Sequence, residues 1–118
     1  MGASFKDLVV WQRAVQLSME IYHLTASFPK SEQFGLTNQM RRASVSIASN
    51  IAEGNGRSTK GEYRQFLGNA KGSNCELQTQ LIISRGLKFG PEKAFEAAEK
   101  FSADISRMLI ALMASLEH

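Results

Sequence analysis

The side chains that most often carry out catalysis are scarce in this 118-residue sequence. Apart from the terminal His118, the chain has one histidine, His23, and its one cysteine is Cys75. Neither residue lies at a spacing from other nucleophiles or carboxylates that is typical of a catalytic triad, and no His/Cys cluster is typical of a metal site. The sequence therefore predicts no enzyme, no metal site and no cofactor.

One segment has the composition of a nucleotide-binding loop: Gly54-Asn55-Gly56-Arg57-Ser58-Thr59-Lys60. A phosphate-binding loop needs the spacing Gly-x-x-x-x-Gly-Lys-Ser/Thr after a β-strand. This segment lacks that spacing and follows a predicted helix. It therefore indicates a turn rather than a nucleotide site.

The distribution of basic residues indicates a function more clearly than the candidate catalytic residues do. The chain has 14 Lys and Arg against 11 Asp and Glu, a net charge of +3. Residues 41–71 contain two acidic residues, Glu53 and Glu62, and six basic ones: Arg41, Arg42, Arg57, Lys60, Arg64 and Lys71. Residues 72–115 are balanced, with five residues of each sign. Clustered Lys and Arg neutralise phosphates and release counterions, so these six residues are the candidate RNA- or DNA-binding residues.

Two other interpretations of these cations stay open. Arginines on an ordinary protein surface pair with nearby carboxylates, and they would then have no binding function. Alternatively, the arginines serve contacts between subunits, and the protein is a protein–protein interaction module or a structural subunit that binds no nucleic acid.

Four predicted helices position these residues. Apolar residues recur at spacings of four and three, which places them on one helix face, over about 7–28, 36–53, 59–89 and 91–115. Gly54-Asn55-Gly56 and Gly90-Pro91 separate the later helices; we expect their glycines to take the left-handed conformation that ends a helix, and Pro91 to begin the last helix. Four helices with short connections predict an all-α, antiparallel up-down-up-down four-helix bundle.

The same spacing predicts the buried row of each helix. The predicted rows are Val10, Ala14, Leu17, Ile21, Leu24 and Phe28; Leu36, Met40, Ala43, Ile47 and Ile51; Tyr63, Leu67, Ala70, Asn74, Leu77, Leu81 and Ser84; and Ala94, Ala98, Phe101, Ile105, Met108 and Leu112. A second apolar row predicts that the first helix buries a broad face: Leu8, Trp11, Val15, Met19 and Tyr22.

The helices account for residues 1–115 as a single domain, and Leu116-Glu117-His118 (116–118) has the composition of an expression-tag remnant. No apolar run reaches the roughly 18–20 residues needed to cross a bilayer. The first six residues lack the apolar centre of a signal peptide. We therefore expect a cytoplasmic protein without a membrane partner.

Two further features are candidates for a structural or oligomer-forming role. A polar stripe follows the second helix: Gln39, Arg42, Ser46, Asn50 and Glu53. It either faces water or carries a hydrogen-bond network that fixes partner and register. Gly68 and Gly72 lie one turn apart on the third helix and would let another helix approach closely, which offsets the cost of about 1 kcal/mol per helical glycine. That helix belongs either to the same bundle or to another subunit.

Four segments together resemble one known family. They are Phe5-Lys6-Asp7-Leu8-x-x-Trp11-Gln12-x-Ala14, Phe28-Pro29-x-x-Glu32-x-x-Gly35-Leu36-x-x-Gln39-x-Arg41-Arg42-Ala43, Ser46-Ile47-x-x-Asn50-Ile51-Ala52-Glu53-Gly54-x-Gly56-Arg57 and Phe66-Leu67-x-x-Ala70-x-Gly72-Ser73-x-x-Glu76-Leu77. They span nearly the whole chain and are similar to the small bacterial four-helix-bundle proteins first found in intervening sequences of 23S ribosomal RNA genes.

This resemblance implies a bundle that assembles into a homopentameric ring. It also implies kinship with the accessory proteins of diversity-generating retroelements, whose basic pentameric barrels bind a reverse transcriptase and nucleic acid. The expected partners are therefore the protein itself, RNA or DNA, and a reverse transcriptase. Within the matching segments, Asn50 and Glu53 are candidates to cap or bridge chains, Gly54 and Gly56 are candidates to shape the turn, and Gln39 belongs to the same candidate set.

Overall fold

The computed structural model describes residues 4–117, and within them it contains four α-helices and no β-strand. The helices are α1 (Val9–Thr25), α2 (Leu36–Asn55), α3 (Lys60–Gly86) and α4 (Glu92–Ser115), with short 3-10 helices at Phe5–Asp7 and Lys30–Glu32. α2 and α4 each lie next to both α1 and α3, whereas α1 and α3 lie diagonally opposite each other. The helices thus stand at the corners of a square, which confirms the antiparallel four-helix bundle.

The buried rows predicted for the first three helices form the core. All six residues of the α1 row, which begins at Val10 and ends at Phe28, are buried. Every residue of the α3 row is buried as well, and so is every residue of the α2 row except Leu36, which is half-buried. Burial of these apolar side chains, at roughly 25 cal/mol per Å², supplies the main stabilisation of the bundle. The spacing of apolar residues by four and three was therefore sufficient to predict which face of each of these three helices is buried.

The buried face of α4 differs from the prediction. The fully buried residues are Phe95, Ala98, Ser102, Ile105 and Leu109, whereas Ala94, Phe101, Met108 and Leu112 are half-buried. The helix is rotated because Ser102 belongs to the core: its hydroxyl donates to Asn74 Oδ1 (2.7 Å), and Asn74 Nδ2 donates to the Ser102 carbonyl (3.0 Å). A prediction that rests on the spacing of apolar residues alone leaves serine out of the core, even where a polar partner satisfies the buried hydroxyl.

The second apolar row of α1 is also less buried than predicted. Met19 keeps 54% of its surface exposed and Tyr22 keeps 44%, while Leu8, Trp11 and Val15 are half-buried. Residues of this row face Val45, Ala48 and Ala52 of α2 across a space that no side chain fills. An open apolar groove between α1 and α2 is the result.

The helix ends show that the expected role of glycine was wrong. Within the described chain no glycine has a positive φ, and the one left-handed residue is Lys88, with φ 60° just after α3. Gly54 lies inside α2, which continues to Asn55, and Gly56 follows with a right-handed φ of −83°. α1 stops at Thr25, three residues before the predicted end; Pro29 disfavours helix at Phe28 but does not explain the end at Thr25. Pro91 precedes the first residue of α4.

Gly54 and Gly90 serve close packing instead. A Cβ on Gly54 would lie 2.8 Å from Phe66 Cβ and 3.1 Å from Tyr63 Cδ1, so the glycine lets α2 and α3 approach each other. A Cβ on Gly90 would lie 2.9 Å from Leu24 Cδ1. Real carbon–carbon contacts are about 3.5–4.0 Å, so neither position accommodates a side chain without movement.

Candidate nucleic-acid interface

Three of the six basic candidates meet where α2 ends and α3 begins. Arg57 lies in the turn, and Lys60 and Arg64 follow one helical turn apart at the start of α3; all three are exposed. The turn is fixed by backbone hydrogen bonds, from Gly56 N–H to the Glu53 carbonyl and from Arg57 N–H to the Gly54 carbonyl. We call these three residues the basic end.

Thr59 builds the start of α3 as the sequence predicted. Its hydroxyl oxygen accepts a hydrogen bond from the Glu62 backbone N–H (3.1 Å) and lies 3.1 Å from Glu62 Oε1. The Thr59 hydroxyl donates to the Glu62 carboxylate, so the carboxylate is held at the cap by the hydroxyl and not by the Thr59 backbone N–H of a complete capping box. The nearest acidic side chain in sequence is therefore engaged with Thr59, and it forms no ion pair with Lys60 or Arg64.

Arg57 is positioned by an aromatic ring. Its guanidinium carbon lies 4.5 Å from the centre of the Phe66 ring, a cation–π contact. Phe66 in turn packs against Gly54, whose missing side chain leaves the space. Gly54, Phe66 and Arg57 thus form a continuous series of contacts from the α2–α3 packing to the basic end. The ring covers one face of the guanidinium, and Arg57 as a whole is exposed.

Ion pairs in the described chain occur outside residues 41–71. Arg13 and Arg107 pair with Asp104, and Arg85 pairs with Glu92, Glu96 and Glu99. The hydrogen bond that Arg85 donates to Glu92, helped by the charges of Glu92, Glu99 and Glu96, raises the pKa of Arg85 above its ordinary value. Within residues 4–117, none of the six basic candidates forms an ion pair, so internal neutralisation accounts for the arginines elsewhere but not for these.

The other three basic candidates lie apart from the basic end. Arg41 is near the opposite end of the bundle, 14 residues or about 21 Å from the end of α2. It donates to Thr25 Oγ1 (2.9 Å) and stacks on the Tyr22 ring at 4.7 Å. Arg42 borders a polar groove between α2 and α3, and Lys71 is exposed about 16 Å along α3 from Lys60. The structure does not unite all six residues in one patch.

The polar stripe of α2 divides between a hydrogen-bond network and the solvent. Ser46 and Ser73 share a hydrogen bond (2.9 Å), and Asn50 Nδ2 donates to the Ser46 carbonyl (2.9 Å) and hydroxyl (3.0 Å). Gln39, Arg42 and Glu53 are exposed. The stripe is thus divided between residues exposed to water and hydrogen bonds within the subunit, and a role of these residues in fixing partner or register stays a prediction.

The glycines of α3 have no internal neighbour that needs them. A Cβ on Gly72 would meet no heavy atom within 4 Å, and one on Gly68 would meet only Met113 Cε at 4.0 Å. Close packing inside the subunit therefore does not explain these residues. Contact with another subunit is the alternative that stays open.

The sequence patterns missed the exposed apolar residues on the outer side of α3. Ile82 is 67% exposed, Ile83 47% and Leu87 56%, although each is a residue type usually buried. The available signal was their position: all three lie off the row that runs from Tyr63 to Ser84. Bulky aliphatic residues outside a buried row indicate a second contact surface.

No group of three or more His, Cys, Asp or Glu residues in the described chain is placed to hold a metal ion. His23 and Cys75 are both exposed, and they lie on different helices. None of the helices described is long and apolar enough to cross a membrane.

Fold and site together define a small antiparallel four-helix bundle with an uncompensated basic end. The chain matches the family model of the 23S rRNA-intervening sequence protein over residues 6–111, and it belongs to that family. The resemblance seen in the four sequence segments is thereby confirmed.

A solved structure shares this fold. It is the crystal structure of a protein of unknown function from the S23 ribosomal protein family of Bacteroides thetaiotaomicron, with a TM-score of 0.80. The two sequences are 19% identical, and the match covers 89% of this chain and 98% of that chain. Among curated proteins, none matches the chain.

Proposed function

We propose that this protein is a non-enzymatic, homo-oligomeric scaffold that binds RNA or DNA through its basic end, formed by Arg57, Lys60 and Arg64. The observation that carries the proposal is that three exposed cations without a carboxylate partner among the described residues follow one another around a single turn. Arg13, Arg85 and Arg107 contact carboxylates, whereas the basic end is exposed and has no acidic partner within the described residues.

Unpaired, exposed cations are suited to phosphate binding because they release counterions from the nucleic acid without first breaking an internal ion pair. The Phe66 ring holds Arg57 from one side, which lowers the entropy lost on binding and leaves its N–H edges free for phosphate oxygens. The positive N-terminal end of the α3 dipole adds to the attraction for anions. None of these contacts reads base identity, so the proposal is for affinity to the backbone and shape of the nucleic acid.

Assembly would strengthen this binding. The family resemblance favours a homopentameric ring, in which the basic end is repeated five times. Repetition raises the effective concentration of binding sites along one nucleic acid, so weak single contacts combine into tight binding. A reverse transcriptase as protein partner belongs to the same proposal, and a reverse-transcriptase gene beside this one would support it.

Fluorescence anisotropy with a labelled structured RNA tests the binding role. The variant Arg57→Gln/Lys60→Gln/Arg64→Gln should bind at least tenfold more weakly than the native protein at low salt. The matched control Lys30→Gln/Lys93→Gln/Lys100→Gln removes the same charge from exposed residues elsewhere and should lose clearly less affinity. Equal losses for the two variants would show that only net charge matters and would contradict the assigned site.

A second candidate function is a protein–protein interaction module that binds no nucleic acid. The exposed Ile82, Ile83 and Leu87 side chains favour it, because exposed apolar clusters mark contact surfaces. If the native protein binds no RNA or DNA at low salt, yet is recovered as a stable complex with another protein, this candidate replaces the first.

A further inference from the structure

A small polar pocket lies at the end of the bundle opposite the basic end, where α1 ends and α2 begins. Its volume is about 210 Å³. The polar residues of its lining are Thr25, Lys30, Gln33, Thr37 and Arg41. Two of these residues are cations, and none of the lining residues is acidic, so the pocket attracts anions.

Arg41 differs from the other half-buried arginines because it has no carboxylate partner. In residues 4–117 three arginines are half-buried, and two of them, Arg13 and Arg85, contact carboxylates. A charge that is partly removed from water is ordinarily paired, because the counterion offsets the lost hydration. An anion in the pocket would supply the partner that Arg41 lacks.

The contacts of Arg41 hold its guanidinium in place and leave part of it available. Nε donates to Thr25 Oγ1 (2.9 Å), and the Tyr22 ring lies 4.7 Å away. Of the two terminal amino groups, Nη2 reaches the Tyr22 carbonyl at 3.5 Å, and Nη1 has no acceptor in the described chain. The terminal amino groups can therefore donate to two oxygens of one anion, as arginine does with phosphate.

Thr37 is a second polar group of the pocket without a partner among the described residues. It keeps only 7% of its surface exposed, and buried hydroxyls are ordinarily hydrogen-bonded. Its hydroxyl is not sealed inside the protein, since the one enclosed side-chain polar atom without a partner in residues 4–117 is Gln80 Oε1. The pocket is therefore the space from which a ligand can reach the Thr37 hydroxyl.

The first turn of α2 adds a backbone donor beside that hydroxyl. Its N-cap, Gly35, provides no side-chain cap. The Leu36 N–H donates to Glu32 Oε1 (3.3 Å), whereas the Thr37 N–H has no acceptor in the described chain. Glu32 itself does not line the pocket. A free N–H at the positive end of a helix dipole favours the binding of phosphate oxygens.

We infer that this pocket binds a phosphate monoester. The terminal amino groups of Arg41 and the hydroxyl and N–H of Thr37 donate to its oxygens, and Lys30 supplies a second positive charge. Two cations match the charge of about −1.5 to −2 that a phosphate monoester carries at pH 7. The pocket is smaller than the roughly 300 Å³ of the smallest usual pockets for drug-sized ligands, so it holds the phosphate and leaves the rest of the molecule outside.

This site does not rest on the proposed function, because it shares no residue with the basic end. Two kinds of molecule carry the group that it recognises: a nucleoside monophosphate and a nucleic-acid strand with a 5′-phosphate. The pocket contacts the phosphate that both have in common, and the experiment separates the two sources.

Isothermal titration calorimetry with adenosine monophosphate tests the site. The Arg57→Gln/Lys60→Gln/Arg64→Gln protein is used, so that the basic end does not contribute. Adenosine monophosphate should bind with saturation, and adenosine should not. Added to this protein, Arg41→Gln should weaken binding about tenfold and Thr37→Val about threefold or more. The matched control Arg42→Gln removes the same charge from the next, exposed residue and should keep the affinity.

Three results would overturn the inference: no saturable binding of adenosine monophosphate at millimolar concentration, equal binding of adenosine, or equal losses for Arg41→Gln and Arg42→Gln. Two oligonucleotides of one sequence, with a 5′-phosphate and with a 5′-hydroxyl, then identify the source. Tighter binding of the phosphorylated strand assigns the site to a strand end. Equal binding of the two strands, with binding of adenosine monophosphate retained, assigns it to a free nucleotide.

Nuclear magnetic resonance of the native protein gives a measurement that needs no substitution. On titration with adenosine monophosphate, the Thr37 amide and the Arg41 Nε–H signals should shift and saturate together. Shifts confined to Arg57, Lys60 and Arg64 would contradict the inference. Shifts at Thr37 and Arg41 in a protein that binds no RNA would contradict only the proposed function, so the two failures can be told apart.

Discussion

Replacing Gly54 by alanine should destabilise the fold, although alanine is the better helix former. Gly54 lies inside α2, so the change gains up to about 1 kcal/mol of helix propensity. The new Cβ would lie 2.8 Å from Phe66 Cβ, roughly 1 Å inside normal contact distance. That neighbour is close to the backbone of α3 and cannot swing away. Overpacking of this kind costs about 1–3 kcal/mol.

The net expectation is a loss of up to about 2 kcal/mol, which corresponds to a fall in melting temperature of up to roughly 8 °C. The assay is urea denaturation followed by helical circular dichroism at one fixed protein concentration. Gly61→Ala is the matched control: its Cβ would meet only Thr59 Oγ1 at 4.0 Å, so it should be neutral or stabilising by up to about 1 kcal/mol. If Gly54→Ala proves as stable as Gly61→Ala, close packing of α2 on α3 is not the role of Gly54.

Three further predictions concern other parts of the bundle. Asn74→Leu should cost about 1–3 kcal/mol in urea denaturation by leaving the buried Ser102 hydroxyl without its partner, and Asn74→Leu/Ser102→Ala should recover part of that loss; additive losses would show that the pair is not coupled. Thr59→Ala should cost about 1 kcal/mol and speed hydrogen exchange in the first turn of α3, whereas Thr59→Ser should do neither; equal exchange in both would refute the cap. Gly72→Ala should stabilise the fold by up to about 1 kcal/mol in urea denaturation, because a Cβ at this position meets no heavy atom within 4 Å; a loss of stability would show that Gly72 has a packing role inside the subunit.

Most of the fold could be predicted from the sequence because the signals are local. The spacing of Val10 to Phe28 fixes one face of α1, and Thr59 with Glu62 marks the start of α3 within one residue. These features depend on helix geometry and on side chains a few residues apart. They need no knowledge of the other helices.

What the sequence could not provide depends on contacts between helices. The rotation of α4 follows from the pairing of Ser102 with Asn74, which lies 28 residues away in the sequence. The spacing of hydrophobic residues does not reveal that these two polar residues are partners. The same holds for Gly54, whose role is set by the position of Phe66 on another helix. Glycine at a helix end suggested a left-handed turn, but the left-handed residue is Lys88.

The candidate site was predicted in part. The excess of positive charge over residues 41–71 was readable from the sequence, and so was the closeness of Arg57, Lys60 and Arg64 around a turn. The contact that distinguishes Arg41 is not local, because Tyr22 and Thr25, which hold it, belong to another helix. Which cations lack carboxylate partners also depends on how α3 and α4 align, as the pairing of Arg85 with Glu99 shows.

The salt dependence of RNA binding tests the central claim most directly. The affinity of the native protein should fall linearly with salt on logarithmic axes. The Arg57→Gln/Lys60→Gln/Arg64→Gln variant should show a slope smaller by about 2–3 per bound basic end, because each phosphate that the protein no longer neutralises lowers the slope by roughly 0.7–0.9. An RNA affinity that does not change with salt, or a slope that the three substitutions leave unchanged, would contradict the assignment of RNA binding to the basic end.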